Sequence, residues 1–478
     1  MLERFLPLLR PEEVQALLSE LEQPLYSSFR MNPLKVDKPD VVNQWAQSYQ
    51  WQLKPVPFCE TGYWVTDSPS PISKTIEHSL GHYYIQDAAS MLPVELFDFN
   101  KLDKHSLILD MAASPGGKTT HLVSRTHDQA LIIANDSSQG RIQALRIVLQ
   151  NWGAVNVGIT RFPGERFGDW YPGTFDRVLL DAPCSMQGLR TAESHASRPV
   201  TEKESLQLSR RQRALLSSAV RALRVGGEVV YSTCTLLPLE DEAVVNAVLD
   251  EFGSAIEILD AQAALPVPAP GLTSLNGVNF HTGLEKTVRL WPQRYHTAGF
   301  FVCHLKKTDL VERQSSPPPF RPMEQVGFQQ MTTRDERAFC EAFTGTFGFD
   351  LAADLERFQR ILVRRYEEVL LFPASIVERF HGLPLQSAGM LLGQETPDGF
   401  LPSHEWTGRF GSLCGRNIIR LDEQESEIWM RGADLEARSS PVKKGDQYRI
   451  VVNAEGLVLG CGKVTATGLK NLLPRRLL

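Results

Sequence analysis

Six short apolar runs separated by stretches of helical period occupy the middle of the chain and leave little choice of fold. They lie at residues 106–112 (SLILDMA), 131–136 (LIIAND), 155–160, 177–182 (RVLLDA), 228–234 (EVVYSTC) and 300–306. Between them, residues 141–151 and 203–224 repeat apolar side chains at the spacing of an amphipathic helix. Strands alternating with helices predict a doubly wound α/β sheet. Each run is short and uninterrupted, which predicts parallel strands covered by helices on both faces. Gly226-Gly227 is expected to stop the second helix.

That unit accounts for less than half of the 478 residues, so further domains are required. Upstream stand a helix-like start, the segment Arg30-Met-Asn-Pro-Leu-Lys35 and an aromatic stretch around Tyr83-Tyr84-Ile-Gln86. Downstream, Ser315-Ser-Pro-Pro-Pro319 reads as a linker, because successive prolines block both helix and ladder pairing. Beyond about residue 400, Gly and β-branched residues rise, as in Tyr448-Arg-Ile-Val-Val452, and suggest a small β-rich terminal domain. The expected division is 1–75, 76–310, a linker at 311–325, a small α+β module at 326–395 and a terminal domain at 396–478.

Fifty basic residues against fifty-six acidic ones give a net charge of -6, so a polyanionic partner must be gripped by local basic patches. Two stretches qualify: residues 198–224, with seven Lys/Arg against two Glu, and residues 441–478, with seven against two acids. The alternative for both is a solvated face. The seven cysteines are scattered and include no Cys-x-x-Cys, which argues against a disulfide framework or a zinc site; no metal is expected. No apolar run reaches the ~18 residues of a membrane span. The chain reads as cytoplasmic, without membrane attachment, and as a monomer.

Chemistry concentrates at the ends of the predicted strands. Leu109-Asp-Met-Ala-Ala-Ser-Pro-Gly-Gly-Lys-Thr119 follows a strand and opens a helix, where a glycine turn lets backbone approach a ligand and free N–H groups face it. Two ligands fit. Ala112, followed after four residues by Gly117-Lys118-Thr119, is one residue short of a phosphate-binding loop, and Leu179-Leu-Asp181 imitates its magnesium-binding strand. The competing reading is an S-adenosylmethionine pocket with the turn beside the amino-acid end of the cofactor. Asp136 favours the second, because it ends the next strand about 20 residues on, where a carboxylate can accept from both ribose hydroxyls. Asp181-Ala-Pro-Cys184 and Ser232-Thr-Cys-Thr235 close two further strands, bringing two thiols to the carboxyl edge of the sheet. A lone Cys is usually a small core residue, and two at strand ends are a different matter.

With these elements the chain resembles the Nop/Sun family of RNA cytosine-C5 methyltransferases, which use S-adenosylmethionine, and within it the bacterial group acting on 16S ribosomal RNA. The resemblance rests on Asp110 to Thr119, Asp181-Ala-Pro-Cys-Ser185, Ser232-Thr-Cys-Thr235, Arg30 to Lys35, Gln86-Asp-Ala-Ala-Ser90 and Glu240-Asp-Glu242. It implies a Rossmann-like methyltransferase domain, an RNA-contacting N-terminal region and a terminal PUA-like RNA-binding domain. It also implies cofactor contacts from Ala112, Ala113, Ser114, Pro115, Gly116, Gly117, Lys118, Asp136 and Asp181, with Cys234 as nucleophile and Cys184 assisting product release. The chain departs from the family twice. Phe162-Pro-Gly-Glu-Arg166 carries Pro163 where an Asp near the adenine is usual, with Glu165 as substitute, and Ser185-Met-Gln-Gly188 replaces Ser-Gly-Glu-Gly.

The reaction asks for the same side chains. Cytosine C5 is a poor nucleophile until a thiolate adds at C6, the role for Cys234. Asp181 is placed to hydrogen-bond N3 or the exocyclic amine, Cys184 to take the C5 proton, and Lys118 to favour a thiolate. Arg30, Lys35, Arg210, Arg211 and Arg213 are expected to meet phosphates beside a base drawn out of its stack. The expected substrate is RNA, as 16S ribosomal RNA or small-subunit particles, with transfer RNA open. A phosphate-loop nucleotide hydrolase and a non-catalytic RNA-binding protein remain as rivals.

Overall fold

The structure is a computed structural model that describes residues 2–36, 40–190, 199–312, 315–436 and 445–475. The six apolar runs become six strands of one nine-stranded sheet: β1 (Leu107–Asp110), β2 (Leu131–Asn135), β3 (Val157–Thr160), β4 (Phe175–Asp181), β5 (Leu223–Thr233), β6 (Ile256–Ile258), β7 (Val288–Leu290), β8 (Phe300–Lys307) and β9 (Ser387–Ala388), of which β6, β7 and β9 lie outside the runs. The order across it is β6-β8-β5-β4-β1-β2-β3-β9, with β7 also paired to β8. Alternate side chains enter opposite cores, as the period of two demands. Leu109, Ile133, Val178, Leu180 and Tyr231 pack with Leu215, Leu216 and Ala219 of helix α3 (Glu202–Ala222). Ile108, Ile132, Leu179 and Val230 pack with Leu122 of α1 (Gly117–Arg125) and Leu145 of α2 (Gln139–Trp152).

Strands β3-β2-β1-β4-β5 are parallel, with the order reversing at β1. Two expectations need correction. The run at 300–306 is not parallel: β8 pairs antiparallel with β5 on one side and with β6 on the other. It follows β7 through a single helical turn, Pro292–Tyr295, too short for a crossover, so the chain must return antiparallel. Nor does Gly226-Gly227 stop α3. The helix ends at Ala222, its neighbour Leu223 is already extended, and the glycines lie within β5. Gly226 takes φ +79, and a Cβ on Gly227 would meet the Arg224 and Asp176 carbonyls at 3.0 Å, so the pair serves a bend in the strand.

An antiparallel sheet of four strands, Gln52–Pro55, Gly62–Asp67, Ser27–Met31 and Tyr83–Ile85, precedes the central one. Downstream come a five-stranded sheet spanning 329–402 and a four-stranded sheet spanning 418–471. The proline segment has no helix or strand from 315 to 322, and the Ser316 N–H donates to the Asp169 carbonyl at 3.1 Å. The downstream part is not loosely tethered. β9 extends the central sheet by pairing Ser387 with Ile159, and buried Asp128 accepts from Arg360 at 2.8 Å and from Arg409. Among the described residues no helix is long and apolar enough to cross a membrane.

Candidate active site

Parallel strands present their carboxyl ends on one edge, and the reversal of strand order at β1 opens a crevice there. Asp110 ends β1 and the Gly turn follows. Gly116 takes φ +116, a left-handed conformation suited to glycine, and Gly117 begins α1. The turn is pinned from below by Asn135: its carbonyl accepts from Ala113 N–H at 2.7 Å, and its side chain donates to the Met111 and Phe162 carbonyls. Ser114 Oγ donates to the Arg141 carbonyl at 3.1 Å, and the Arg141 guanidinium reaches back to the Ser114 carbonyl. The sequence from Ala112 through Pro115 to Gly117 is thereby held as a rigid backbone loop.

Asp136 follows β2 and is buried. Its Oδ1 accepts from Ser138 N–H at 2.8 Å, whereas its Oδ2 makes no hydrogen bond, with Arg141 3.5 Å away. A buried carboxylate oxygen without a donor is costly, and it fits a ligand hydroxyl. The glycine turn, the free helix start and this oxygen together suit an adenosyl cofactor. The segment 162–166 is less simple. Glu165 pairs with Arg211 at 3.1 Å, its other oxygen buried and unpartnered, and Pro163 is exposed.

Asp181, at the end of β4, joins the cofactor edge to the thiols. Its Oδ2 accepts from Lys118 Nζ at 2.6 Å and its Oδ1 from Ser232 Oγ at 2.8 Å. Lys118 also donates to Ser90 Oγ at 3.0 Å and lies over the Phe300 ring. Cys184 and Cys234, from the loops after β4 and β5, meet with their sulfurs 3.0 Å apart, both half-buried. The hydrogen bond with Cys234, followed by burial, pushes the Cys184 thiol well above its usual range. Either sulfur can be the donor within the pair.

Several supporting residues had no role assigned from the sequence. Glu240 is fully buried, and its Oε2 accepts from Ser185 N–H at 2.9 Å and Gln212 Nε2 at 3.0 Å, fixing the loop after Cys184. Thr233 Oγ1 donates to Asp241 at 2.6 Å, and Arg289 closes on Asp241 and Glu242. The acidic run Glu240-Asp-Glu242 just beyond the Thr-Cys element was the available signal. Asp110 is also buried, and burial pushes it to about 7 against a hydrogen bond from Thr119 that pulls the other way. Met186 takes φ +58, keeping a glycine-like backbone where the family has glycine, with its side chain 41% exposed.

The expected phosphate contacts fare unevenly. Arg30 is wholly buried and cannot meet a phosphate: it donates to Gln86 Oε1 at 3.2 Å, the Gly117 carbonyl at 3.0 Å and Thr120 Oγ1 at 2.7 Å. Lys35 Nζ donates to the Leu80 and Asn151 carbonyls, both at 2.7 Å. Both cations tie the N-terminal sheet to the catalytic one. On α3 and beyond it, Arg211, Arg213, Arg221 and Arg224 pair with Glu165, Glu251, Glu251 and Asp176, leaving Arg210 exposed. Arg198, Lys443, Lys444 and Arg476 lie outside the described residues.

A parallel sheet with an antiparallel insertion, a glycine turn after its first strand and an acid after its second define a Rossmann-like methyltransferase domain. Residues 99–306 match the model of the family described as 16S rRNA methyltransferase RsmB/F. Residues 2–88 match the N-terminal domain of 16S rRNA methyltransferase RsmF, and residues 416–478 the methyltransferase RsmF PUA domain. The chain belongs to the RsmB/F family, RNA cytosine-C5 methyltransferases that use S-adenosylmethionine. It is 33% identical over 469 residues to the ribosomal RNA small subunit methyltransferase F of Aeromonas salmonicida (strain A449), covering 96% of this chain and 92% of that one. To its counterpart from Shewanella loihica it is 34% identical, covering 96% and 90%. Among solved structures, a methyltransferase homolog protein from Pyrococcus horikoshii is similar with TM-score 0.53 and 32% identity, covering 62% of this chain and 91% of that chain.

Proposed function

We propose that this protein methylates C5 of cytosine in 16S ribosomal RNA, in the cytoplasm, through a covalent bond between Cys234 and C6 of the base. The observation that carries the mechanism is the 3.0 Å approach of the Cys184 and Cys234 sulfurs beside the Lys118–Asp181 pair. We assign the cofactor to the edge formed by Ala112 to Lys118, Asp136 and Asp181; when bound, S-adenosylmethionine supplies the electrophilic methyl group. Asp136 holds the ribose hydroxyls on its unpartnered oxygen.

Cys234 adds as a thiolate to C6, which moves an electron pair to C5 and makes it nucleophilic. Asp181, kept in place by Lys118 and Ser232, is the group to bring a proton to N3 as Cys234 adds, and so neutralise the charge that builds there. Once C5 carries the methyl group, its proton must leave so that the C5–C6 double bond re-forms and the bond to Cys234 breaks. Cys184 is the base for this step: once its own proton has passed to solvent, its thiolate takes the C5 proton while the C5–C6 double bond re-forms and the C6–S bond to Cys234 breaks. The domain division 1–75, 76–310, 311–325, 326–395 and 396–478 belongs to the proposal, with the terminal PUA domain and Arg210 supplying RNA contacts.

Denaturing gels with substrate RNA and cofactor test the roles. Cys184→Ala should accumulate a protein-RNA adduct, and Cys234→Ala should form none and lose methylation. An adduct with Cys234→Ala and none with Cys184→Ala would reverse the assignment. Bisulfite sequencing of total RNA with and without the gene identifies the substrate, and a change confined to transfer RNA would overturn the ribosomal reading.

A further inference from the structure

Cys184 sits between two peptide groups that are both held by side chains from elsewhere in the fold. The carbonyl before it, on Pro183, accepts from Gln212 Nε2 at 2.9 Å, and the N–H after it, on Ser185, donates to Glu240 Oε2 at 2.9 Å. The same Gln212 nitrogen donates to the same Glu240 oxygen at 3.0 Å, which closes the clamp. Both side chains are wholly buried, although Gln212 stands on α3 between the exposed Arg211 and Arg213. A flipped amide would set Oε1 of Gln212 against a carbonyl and a carboxylate, so the two acceptors fix its orientation. Each peptide group is planar, and holding the one on either side of the Cys184 Cα fixes the torsions that aim its sulfur. Cys234 is anchored differently, through Ser232 Oγ on Asp181 and Thr233 Oγ1 on Asp241. Among the described residues, the side-chain hydrogen bonds of Gln212 reach Pro183 and Glu240, and neither that loop nor the cofactor edge.

We propose that Gln212, acting with Glu240, is a positioning residue for the proton-removal step: it aims Cys184 at the C5 proton and leaves addition by Cys234 untouched. This rests on the assignment of Cys184 as base given above. The step it serves takes the C5 proton onto the Cys184 sulfur, re-forms the C5–C6 double bond and returns the C6–S electron pair to Cys234. Methyl transfer comes before that step and is effectively irreversible, because a sulfonium becomes a neutral thioether. A clamp that acts only on elimination therefore governs kcat and not kcat/KM for RNA, whereas one that merely held the domain together would affect both.

Turnover of the full chain on 16S ribosomal RNA with methyl-labelled S-adenosylmethionine tests this, with Cys184→Ala as the reference. Gln212→Met keeps the volume of the side chain and removes its donors. It should leave S-adenosylhomocysteine binding and kcat/KM for RNA at the parent level, lower kcat by about tenfold to a hundredfold, and accumulate labelled protein-RNA adduct on denaturing gels. Gln212→Asn keeps an amide too short to span both acceptors; it should show the same pattern to a smaller degree, and it carries the test if the first variant does not fold. Glu240→Gln keeps an acceptor oxygen for both donors and should lie closer to the parent than Glu240→Leu. Equal losses in kcat and kcat/KM without adduct, or unchanged kcat in both Gln212 variants, would overturn the inference while Cys184→Ala still traps adduct. No adduct in Cys184→Ala would overturn the base assignment itself, and this inference with it.

Discussion

Two groups of buried charge lie on the central sheet and differ in how well they are satisfied. Around Asp128 every acceptor is used: its carboxylate takes the N–H groups of Val155 and Asn156 as well as Arg360 and Arg409, and Arg360 continues to Asp354 at 2.9 Å and to Asn156 Oδ1 at 3.1 Å. At the cofactor edge, Asp110 and Asp136 each leave one buried oxygen without a donor. Burying an ion is tolerable when its partners come from the protein, and a deficit persists where a ligand completes the set. The first group joins segments more than two hundred residues apart, and the second leaves acceptors open.

The widest expected contrast is in stability. Asp128→Ala takes from two buried arginines the carboxylate they share, leaving Arg409 without an acid, and should cost about 3–5 kcal/mol, read by denaturant melting. A loss below about 1 kcal/mol, the level of an exposed pair, would dissolve the distinction. Asp136→Ala, by contrast, should leave stability within about 1 kcal/mol while weakening S-adenosylmethionine binding by roughly tenfold to a hundredfold. Calorimetry on the variant decides, and unchanged affinity would remove Asp136 from the binding set.

A pH series sharpens the same point at Asp110. Its folded value of about 7 lies above that of an unfolded aspartate, so the native state holds more protons between about 4 and 7, and the stability this group contributes falls as pH rises through that window. Asp110→Asn carries no such slope, so its melting temperature relative to the parent should be higher at pH 8 than at pH 5. An equal difference at both values would show that the carboxyl is not held in its neutral form. The smallest effect concerns the surface. Arg210 makes no ion pair among the described residues, whereas Arg213 pairs with Glu251. Arg210→Gln should lower the salt slope of RNA binding by about 1 and Arg213→Gln by less, with equal slopes arguing that pairing does not decide which cations meet phosphate.

Much of the site was legible because strand ends are local. An apolar run followed by Asp or Pro-Cys fixes where the strand stops, and parallel order then collects Asp110, Asp136, Asp181, Cys184 and Cys234 on one edge. The fate of charged residues was not legible. Arg30 and Lys35 sit in a polar-looking segment, and the partners that hold them are acceptors from Gln86 to Thr120 and from Leu80 to Asn151, far along the chain. Asn135 and Glu240, which hold the loops in place, likewise act through partners that no spacing rule connects.

The sequence by itself determined the alternation of strands and helices, the glycine turn and the strand ends that carry the candidate site residues, because propensity, period and turn chemistry are properties of neighbouring residues. Only the tertiary structure decided that β8 enters antiparallel between β5 and β6, that Ser387–Ala388 closes the far edge of the sheet, and which carboxylates are sated and which are left with a free oxygen. Strand direction follows from the path of the connections, and the satisfaction of a buried charge from what the fold brings opposite it, over separations as long as the 281 residues between Asp128 and Arg409.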